Sequence, residues 1–268
     1  MKVGLIGCGR MGGALVKGAI QAGVVAAENV LLHSKSQASA EALAEQCGAV
    51  VAESNSYVVR ECDLVLLGCK PYQVVDVLTE IRAELPGKTA IVSVAAGITL
   101  AKMESSSPDG TRIIRAMPNT PSLIGLGAAG VAKGTHATDQ EFASACELLA
   151  SVGIVVETAE NQLDAVTGVS GSGPAYVYTM IEELAAQGEK EGLSAGDSLK
   201  LATQTVIGAA RMVEQSPTSP ADLRNQVTSP GGTTLAGLKA LTEHGFEASI
   251  AAGVHAATER SREIAAES

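Results

Sequence analysis

The sequence predicts a doubly wound α/β domain followed by an all-α domain. Apolar runs of strand length alternate with helical patterns through the first half of the chain, which is typical of a parallel sheet covered by helices on both faces. The second half keeps the helical periodicity but lacks strand-like runs, and it is rich in Ala and Gly. With 268 residues the chain is long enough for both domains. We expect residues 1–160 to form the first domain and 161–268 the second.

Composition and charge exclude several functional classes. The net charge is -10, and the chain has four Tyr, two Phe and no Trp, whereas a nucleic-acid surface needs basic patches and stacking rings. The five cysteines form no CxxC pair, which favours reduced thiols in a cytoplasmic protein. We see no secretory signal. The longest uncharged run, residues 116–132, contains prolines and glycines and is not expected to span a membrane.

The first strand and helix enclose a glycine motif. A short apolar run ending at Ile6 is followed by Gly7, Gly9 and Gly12 in the pattern G-x-G-x-x-G, and then by helical periodicity. Gly7 permits a tight turn, Gly9 lets a pyrophosphate approach the backbone, and Gly12 allows close packing of helix on strand. This placement predicts a Rossmann-like, dinucleotide-binding domain, with a simple glycine-rich turn as the alternative.

The second strand, residues 29–33, indicates which dinucleotide binds. An NAD enzyme usually has Asp or Glu at the end of this strand to hold the ribose 2′-hydroxyl. This chain has Ser34, Lys35 and Ser36 instead. Two hydroxyls and a cation suit a 2′-phosphate, so the pattern favours NADPH, with NADH possible. His33 has no second ligand in the sequence pattern, and we expect no metal site.

The remaining strands of the first domain follow in regular order. The apolar run at 63–68 is typical of a strand covered on both faces, and it ends at Lys70 and Pro71. A lysine at the carboxyl end of a central strand lies where such folds bind ligands, although Lys-Pro also begins helices. The strand after Asn119 is expected to be either parallel or antiparallel at an edge. The other predicted strands are 49–51, 89–94, 113–117, 128–132 and 154–157.

Helices account for the second half. A helix over 161–169 is expected to be interrupted by Ser170-Gly171-Ser172-Gly173-Pro174, with Pro174 at the first position of the next helix. Ser194 and Ser219 each precede an acidic residue by three positions, a spacing that predicts helix starts. Small residues allow close packing but leave little to fill a core. We therefore expect a second copy of the chain to complete this domain as a homodimer.

The segment Thr228–Thr234 is the candidate substrate site. Gly231 and Gly232 can adopt conformations closed to other residues, and Thr233 or Thr234 can cap a helix running from Leu235. Free backbone N–H groups beside hydroxyls and a helix N-terminus suit a small carboxylate. Taken alone, the segment is more typical of a Pro-Gly turn between helices, and the substrate site depends on the rest of the chain.

Together these motifs make the chain resemble the pyrroline-5-carboxylate reductases, which make proline. The resemblance rests on residues 6–12, Lys70-Pro71, residues 117–120, residues 169–176 and residues 228–234, which occur in the family's order along the whole chain. It implies an NADPH-binding domain followed by a helical domain that interlocks in a homodimer and sometimes builds a larger ring. The implied substrate is 1-pyrroline-5-carboxylate, whose imine carbon receives a hydride.

The resemblance also implies roles for individual residues. Ser229 and Thr234 would be catalytic, Thr234 bonding the ring nitrogen, and the substrate would lie on Ser229, Pro230, Gly231, Gly232, Thr233 and Thr234. Asn119, Ala96 and Gly97 would line the nicotinamide side. The other cofactor contacts would be Ile6, Gly7, Gly9, Arg10, Met11, Ser34, Lys35, Ser36, Asn55, Gly68, Cys69, Lys70 and Pro71.

The sequence departs from the family at three places. Many members have Asn in place of Arg10, and Asn-Arg in place of Ser34-Lys35. Some place a Glu close to the position of Pro217, so no catalytic carboxylate carries over there. The reaction does not require one, because a protonated imine is already electrophilic and the protein mainly positions two rings and excludes water.

Three other functions remain open from the sequence. A hydroxyacid dehydrogenase of the same plan would need a catalytic lysine in the second half, where Lys190, Lys200 and Lys239 lie in charged surroundings. A non-catalytic NADPH-binding regulator would keep the fold without the reaction. The helical half could also serve purely as an interaction module, in which case the segment Thr228–Thr234 would not matter for activity.

Overall fold

The computed structural model describes residues 1–267 and contains an eight-stranded sheet in the order β3-β2-β1-β4-β5-β6-β7-β8. The first six strands run parallel, with β1 between β2 and β4. The strands are β1 (Val3–Ile6), β2 (Val30–His33), β3 (Val50–Val51), β4 (Leu64–Leu67), β5 (Ala90–Ser93), β6 (Arg112–Met117), β7 (Gly127–Lys133) and β8 (Gly153–Glu157).

Burial explains why the central strands read as continuous apolar runs. Every residue of β1, β4 and β5 is buried, because helices cover both faces of the sheet. The apolar side chains form two clusters, one containing Leu5 and Leu66 and the other containing Ile6 and Val65. Neighbouring residues thus point to opposite faces, as the pleat of a strand requires. The predicted doubly wound domain is confirmed.

The last two strands settle the direction that the sequence left open. β7 pairs antiparallel with β6, and β8 pairs parallel with β7. The strand after Asn119 is therefore antiparallel, but it is not at an edge, because β8 occupies that position.

Twelve α-helices occur within residues 1–267. Short 3₁₀ turns connect several of them. The helices are α1 (Arg10–Gln21), α2 (Gln37–Cys47), α3 (Asn55–Glu61), α4 (Val74–Glu80), α5 (Leu100–Ser105), α6 (Asp139–Ala150), α7 (Leu163–Val166), α8 (Gly173–Lys190), α9 (Ala195–Gln215), α10 (Pro220–Gln226), α11 (Thr233–Glu243) and α12 (Phe246–Glu267).

Contacts divide the chain into two compact units. The first, here called the sheet unit, contains Met1–Ser172 and the C-terminal segment from Ala256; the second, the helical unit, contains Gly173–His255. This division lies later than the expected boundary between 160 and 161, and it assigns the end of the chain to the first unit. The difference arises because α7 packs on β7 and because the end of α12 contacts the sheet unit.

A π-helical segment replaces the break expected at Ser170–Pro174. Residues Thr167–Gly171 continue α7 as a π-helix, and Ser170 Oγ donates to the Val166 carbonyl at 3.0 Å. α8 then begins at Gly173, so Pro174 is its second residue rather than its first. The chain thus passes through a single π-helical turn here and does not leave the helix.

The helical unit matches the predicted cap signals but has almost no interior. Ser194 and Ser219 accept hydrogen bonds from the amides of Asp197 and Asp222, each at 3.2 Å, so both predicted helix starts are confirmed. Large apolar side chains are exposed along its helices, including Tyr178, Leu184, Leu199, Leu201, Ile207, Met212 and Leu235.

Residues 1–267 contain neither a membrane-spanning helix nor a cluster of metal ligands. No helix there is both long and apolar enough to cross a bilayer. No group of three His, Cys, Asp or Glu side chains in the same part of the chain is arranged to hold a metal ion.

Candidate active site

A cleft of about 740 Å³ opens in the sheet unit where the carboxyl ends of β1, β2 and β4 meet. This is the edge at which doubly wound sheets bind ligands. Ten of the residues predicted to contact the cofactor line it, namely Ile6, Gly7, Gly9, Ser34, Lys35, Ser36, Asn55, Gly68, Cys69 and Lys70. The structure thus brings together residues from four separate segments, which follow β1, β2, β3 and β4.

The glycine motif provides a place for a pyrophosphate. Gly7 has φ +94°, and a Cβ there would lie 2.7 Å from the amide nitrogen of Cys69, so no other residue fits the turn. Gly9 is the N-cap of α1 and has no side chain to satisfy the helix amides. The first turn of α1 also lacks acidic residues. Its free N–H groups and positive dipole end therefore suit an anion.

A second anion site lies at the start of α2. Ser34, Lys35 and Ser36 line the cleft, and Ser36 is the N-cap of α2 without making a side-chain cap bond. Ser39 also lines the cleft, and its Oγ donates to Ser36 Oγ at 3.1 Å. The hydroxyls and the ammonium fit the 2′-phosphate of NADPH. Ser39 was missed from the sequence, although its position one turn into the helix after Ser36 was the available signal.

The lining of the cleft also includes carboxylates that the sequence did not reveal as cleft residues. Asp76 and Glu80 lie four positions apart on α4, with Val77 between them, and all three line the cleft. Asn55 Nδ2 donates to Glu80 Oε2 at 2.9 Å, while Asn55 Oδ1 is buried without a hydrogen-bond partner in the structure. Asn55 Oδ1 can therefore accept a hydrogen bond from a hydroxyl or amino group of a bound nucleoside.

The cysteines of the cleft are neutral thiols. Burial, with a smaller contribution from Cys47, raises the pKa of Cys8 to about 11. Burial also raises the pKa of Cys69. Neither is therefore a thiolate at neutral pH, so the cleft holds no activated sulfur nucleophile.

Six predicted cofactor residues do not line the cleft. Arg10 and Met11 form the first turn of α1, and Pro71 begins a 3₁₀ turn after Lys70, so these three adjoin cleft residues in sequence. The other three, Ala96, Gly97 and Asn119, lie beyond β5 and β6.

The side-chain amide of Asn119 makes two hydrogen bonds within the protein. Its Oδ1 accepts from the Ala128 amide at 2.8 Å, and its Nδ2 donates to the Ser170 carbonyl at 3.0 Å. It thereby joins the end of β6 to β7 and to the π-helical segment. Its place beside a nicotinamide stays a prediction.

The segment Thr228–Thr234 lies in the helical unit. Gly231 has φ +73°, and the Gly232 amide donates to the Ser229 carbonyl at 3.0 Å. Ser229 Oγ lies over Gly232, since a Cβ on that glycine would be 2.4 Å from it. A side chain at position 232 would therefore displace the Ser229 hydroxyl from this place.

The helix after this segment starts earlier than expected. α11 begins at Thr233 with Gly232 as its N-cap and no side-chain cap bond, so neither Thr233 nor Thr234 caps a helix from Leu235. The reason is the left-handed turn at Gly231, which already brings Thr233 into helical geometry. An uncapped helix N-terminus beside the Ser229 and Thr234 hydroxyls is well suited to a carboxylate.

The lysines considered for a hydroxyacid dehydrogenase are all exposed in the structure. Lys190, Lys200 and Lys239 lie on the surfaces of their helices, and Lys239 pairs with Glu243 at 3.8 Å. Catalytic lysines are usually buried, and none of these three side chains is buried within its own chain.

Comparison with protein families gives two matches that together span most of the chain. A family model described as pyrroline-5-carboxylate reductase dimerisation matches residues 160–264. A second, described as NADP oxidoreductase, coenzyme F420-dependent, matches residues 2–97.

Relatives match along the full length. A pyrroline-5-carboxylate reductase of Methanosarcina acetivorans is 38% identical over 263 residues, covering 98% of this chain and 97% of the relative. One of Arabidopsis thaliana is 40% identical, covering 98% and 95%. A solved pyrroline-5-carboxylate reductase of Coxiella burnetii superposes with a TM-score of 0.94 at 32% identity, covering 98% of both chains. One of Plasmodium falciparum with NADP bound gives 0.88 at 31%, covering 99% and 98%.

Proposed function

This chain belongs to the pyrroline-5-carboxylate reductase family, and from that premise we infer that it reduces 1-pyrroline-5-carboxylate to L-proline with NADPH. The observation that carries the inference is the match over 98% of the chain together with a cleft whose lining fits both phosphate groups of that cofactor. The class of reaction is oxidation and reduction at a CH–NH group. It is the last step of proline biosynthesis.

The sheet unit holds the cofactor. The amides after Gly7 bind the pyrophosphate, Ser34, Lys35, Ser36 and Ser39 bind the 2′-phosphate, and Asn55 bonds a ribose. When bound, NADPH supplies the hydride from its nicotinamide ring. The residues of the protein act by placing the ring and keeping water away from it.

The segment Thr228–Thr234 holds the substrate. Ser229 Oγ and the amides at the start of α11 bind the carboxylate, since both are donors and the helix dipole favours a negative charge there. Thr234 hydrogen-bonds the ring nitrogen and orients the imine carbon. The exposure of Ser229 and Thr234 means that these donors are available to a ligand.

The functional assembly is a homodimer formed through the helical units. The family model that covers residues 160–264 describes a dimerisation region, and the exposed apolar side chains of α8 and α9 need a partner because water does not stabilise them. Assembly of such dimers into a larger ring, and a cytoplasmic location, are part of the same proposal. The five cysteines are free in the structure, which suits a reducing compartment.

One assay tests substrate, reaction and cofactor together. Purified protein is mixed with 1-pyrroline-5-carboxylate and either NADPH or NADH, and both cofactor oxidation and proline formation are measured. We expect equal amounts of proline and oxidised cofactor, with a higher kcat/KM for NADPH.

Three outcomes contradict the proposal in different ways. NADPH binding without proline formation indicates a regulator. Oxidation of a 2-hydroxy acid with NADP⁺, in the absence of imine reduction, indicates the dehydrogenase. Full activity after Thr228–Thr234 is replaced by a Gly-Ser linker assigns that segment to interaction alone.

A further inference from the structure

The last turns of α12 belong to the sheet unit, although the helical unit, Gly173–His255, immediately precedes them in the chain. α12 runs from Phe246 to Glu267, and the chain from Ala256 onward groups with the sheet unit. We call residues 256–267 the C-terminal tail. Two of its contacts with other parts of the sheet unit are not required by the reaction described so far.

The first contact is a hydrogen bond from a buried serine. Ser261 is 5% exposed, and its Oγ donates to Asp164 Oδ1 at 2.7 Å. Asp164 lies on α7, which continues into the π-helical segment. That segment presents the Ser170 carbonyl to the side chain of Asn119 at 3.0 Å. The tail is thus connected through one short helix to Asn119.

The second contact is between Ile264 and Gly97. Gly97 is buried and has φ +76°, and a Cβ there would lie 2.4 Å from Ile264 Cγ2. The absence of a side chain at position 97 therefore lets Ile264 pack directly on the backbone after β5. This backbone also carries Ala96, which is exposed.

The two contacts lead to those predicted cofactor residues that were assigned to the nicotinamide side. These residues are Ala96, Gly97 and Asn119. All three lie outside the cleft, whose lining contains the residues proposed to bind the ribose and the phosphates. The tail contacts the nicotinamide residues or their supports. None of the tail residues lines the cleft.

We propose that the C-terminal tail is a positioning element for the nicotinamide end of the cofactor, acting through Ser261 on Asn119 and through Ile264 on Gly97. The proposal rests on the function proposed above, because it assumes that these residues face the nicotinamide. It assigns to Ser261, Asp164 and Ile264 an effect on turnover without contact to either substrate. The adenosine end is anchored independently of the tail.

The test separates the two ends of the cofactor. In Ser261→Ala and in Ile264→Ala, we expect kcat with NADPH to fall about tenfold, since a small misplacement of reacting groups lowers rate strongly. The affinity for adenosine 2′,5′-bisphosphate, which lacks the nicotinamide, should stay within about twofold of the parent. The fluorescence of bound NADPH, which reports the surroundings of the nicotinamide ring, should change in both variants.

Matched variants exclude a general loss of structure. Asp164→Asn keeps an accepting oxygen for Ser261 and should retain near-parental kcat, whereas Asp164→Ala should behave like Ser261→Ala. Glu263→Ala alters an exposed residue of the same tail and should have no effect. A melting temperature for each variant verifies folding.

Two results would overturn the proposal. One is an unchanged kcat in both Ser261→Ala and Ile264→Ala. The other is an equal loss of adenosine bisphosphate affinity and of turnover, which would show a purely structural role. If the parent itself does not reduce the imine, the proposed function fails. In that case the fluorescence of bound NADPH and the affinity for adenosine 2′,5′-bisphosphate still test whether the tail positions the nicotinamide end.

Discussion

The two units of this protein differ sharply in how much of their surface they bury on their own. The sheet unit contains two apolar clusters and buried central strands. In the helical unit, residues 173–255, the buried residues are Ala185, Ser198 and Ala202. They form the contact between α8 and α9, where Ser198 Oγ donates to the Ala185 carbonyl at 2.6 Å.

This difference in burial parallels the proposed roles of the two units, cofactor binding in the sheet unit and substrate binding in the helical unit. The cofactor cleft is built from strand ends that one chain's own core holds in place. The substrate segment lies on helices with little core of their own, so its geometry depends on what covers their exposed apolar side chains. We infer that cofactor binding is a property of one chain, whereas catalysis requires the assembled homodimer.

The largest expected effect comes from removing one hydroxyl in the substrate segment. Thr234→Ala should lower kcat on the order of a hundredfold, because a hydrogen bond aimed at the reacting group is lost from the transition state. The affinity for NADPH should change little, since the cofactor cleft is in the other unit. Steady-state kinetics and NADPH titration measure the two quantities.

Two further threonine variants make this result specific. Thr234→Ser keeps the hydroxyl and should recover most of the rate. Thr205→Ala removes a threonine hydroxyl whose partner is the Leu201 carbonyl within α9, and it should leave kcat unchanged. Near-parental turnover in Thr234→Ala would remove the role assigned to Thr234.

The next effect tests whether the helical unit needs its partner. Leu201→Glu puts a carboxylate in place of an exposed leucine of α9. If the helices pack on a second copy, burying that charge should weaken self-association on the order of a hundredfold. Sedimentation at several concentrations should then show monomers that bind NADPH but have lost most of their activity.

Lys200→Glu is the matched control. It lies next to Leu201 and changes the net charge by a larger amount, but it replaces an exposed polar side chain. Dimerisation should persist in this variant. If the parental chain is a stable monomer at micromolar concentration, the predicted homodimer is wrong. The inference that catalysis requires the assembled homodimer is then wrong as well.

The sequence was sufficient where local geometry decides the structure. Gly7 and Gly9 predicted the tight turn after β1 and the start of α1, because a turn between strand and helix imposes its own requirements on backbone conformation. The cap signals at Ser194 and Ser219 were sufficient for the same reason. Alternation of strands and helices predicted the sheet, since covering both of its faces leaves the observed apolar runs.

The sequence was insufficient where packing decides. Asp76 and Glu80 line the cleft because α4 turns one face towards it, and no local pattern specifies that face. The predicted start of α11 at Leu235 was wrong, because the left-handed turn at Gly231 moves the N-cap to Gly232. The contact of Ser261 with Asp164 joins residues 97 positions apart, and its existence depends on how the end of the chain folds back.

The smallest expected effect lies in the sheet unit, at the site that distinguishes the two cofactors. Lys35→Ala should raise the KM for NADPH roughly tenfold, because a hydrogen bond to a charged phosphate contributes about 1.5–3 kcal/mol and Lys35 is exposed to solvent, which weakens it. The KM for NADH should stay constant, since NADH has no phosphate at this position. Lys17→Ala, which removes an amine bonded to Gln46 at 3.1 Å, is the control for a general change in charge. Equal effects on both cofactors would place Lys35 at the pyrophosphate instead, and the selectivity would then have to come from Ser34, Ser36 and Ser39.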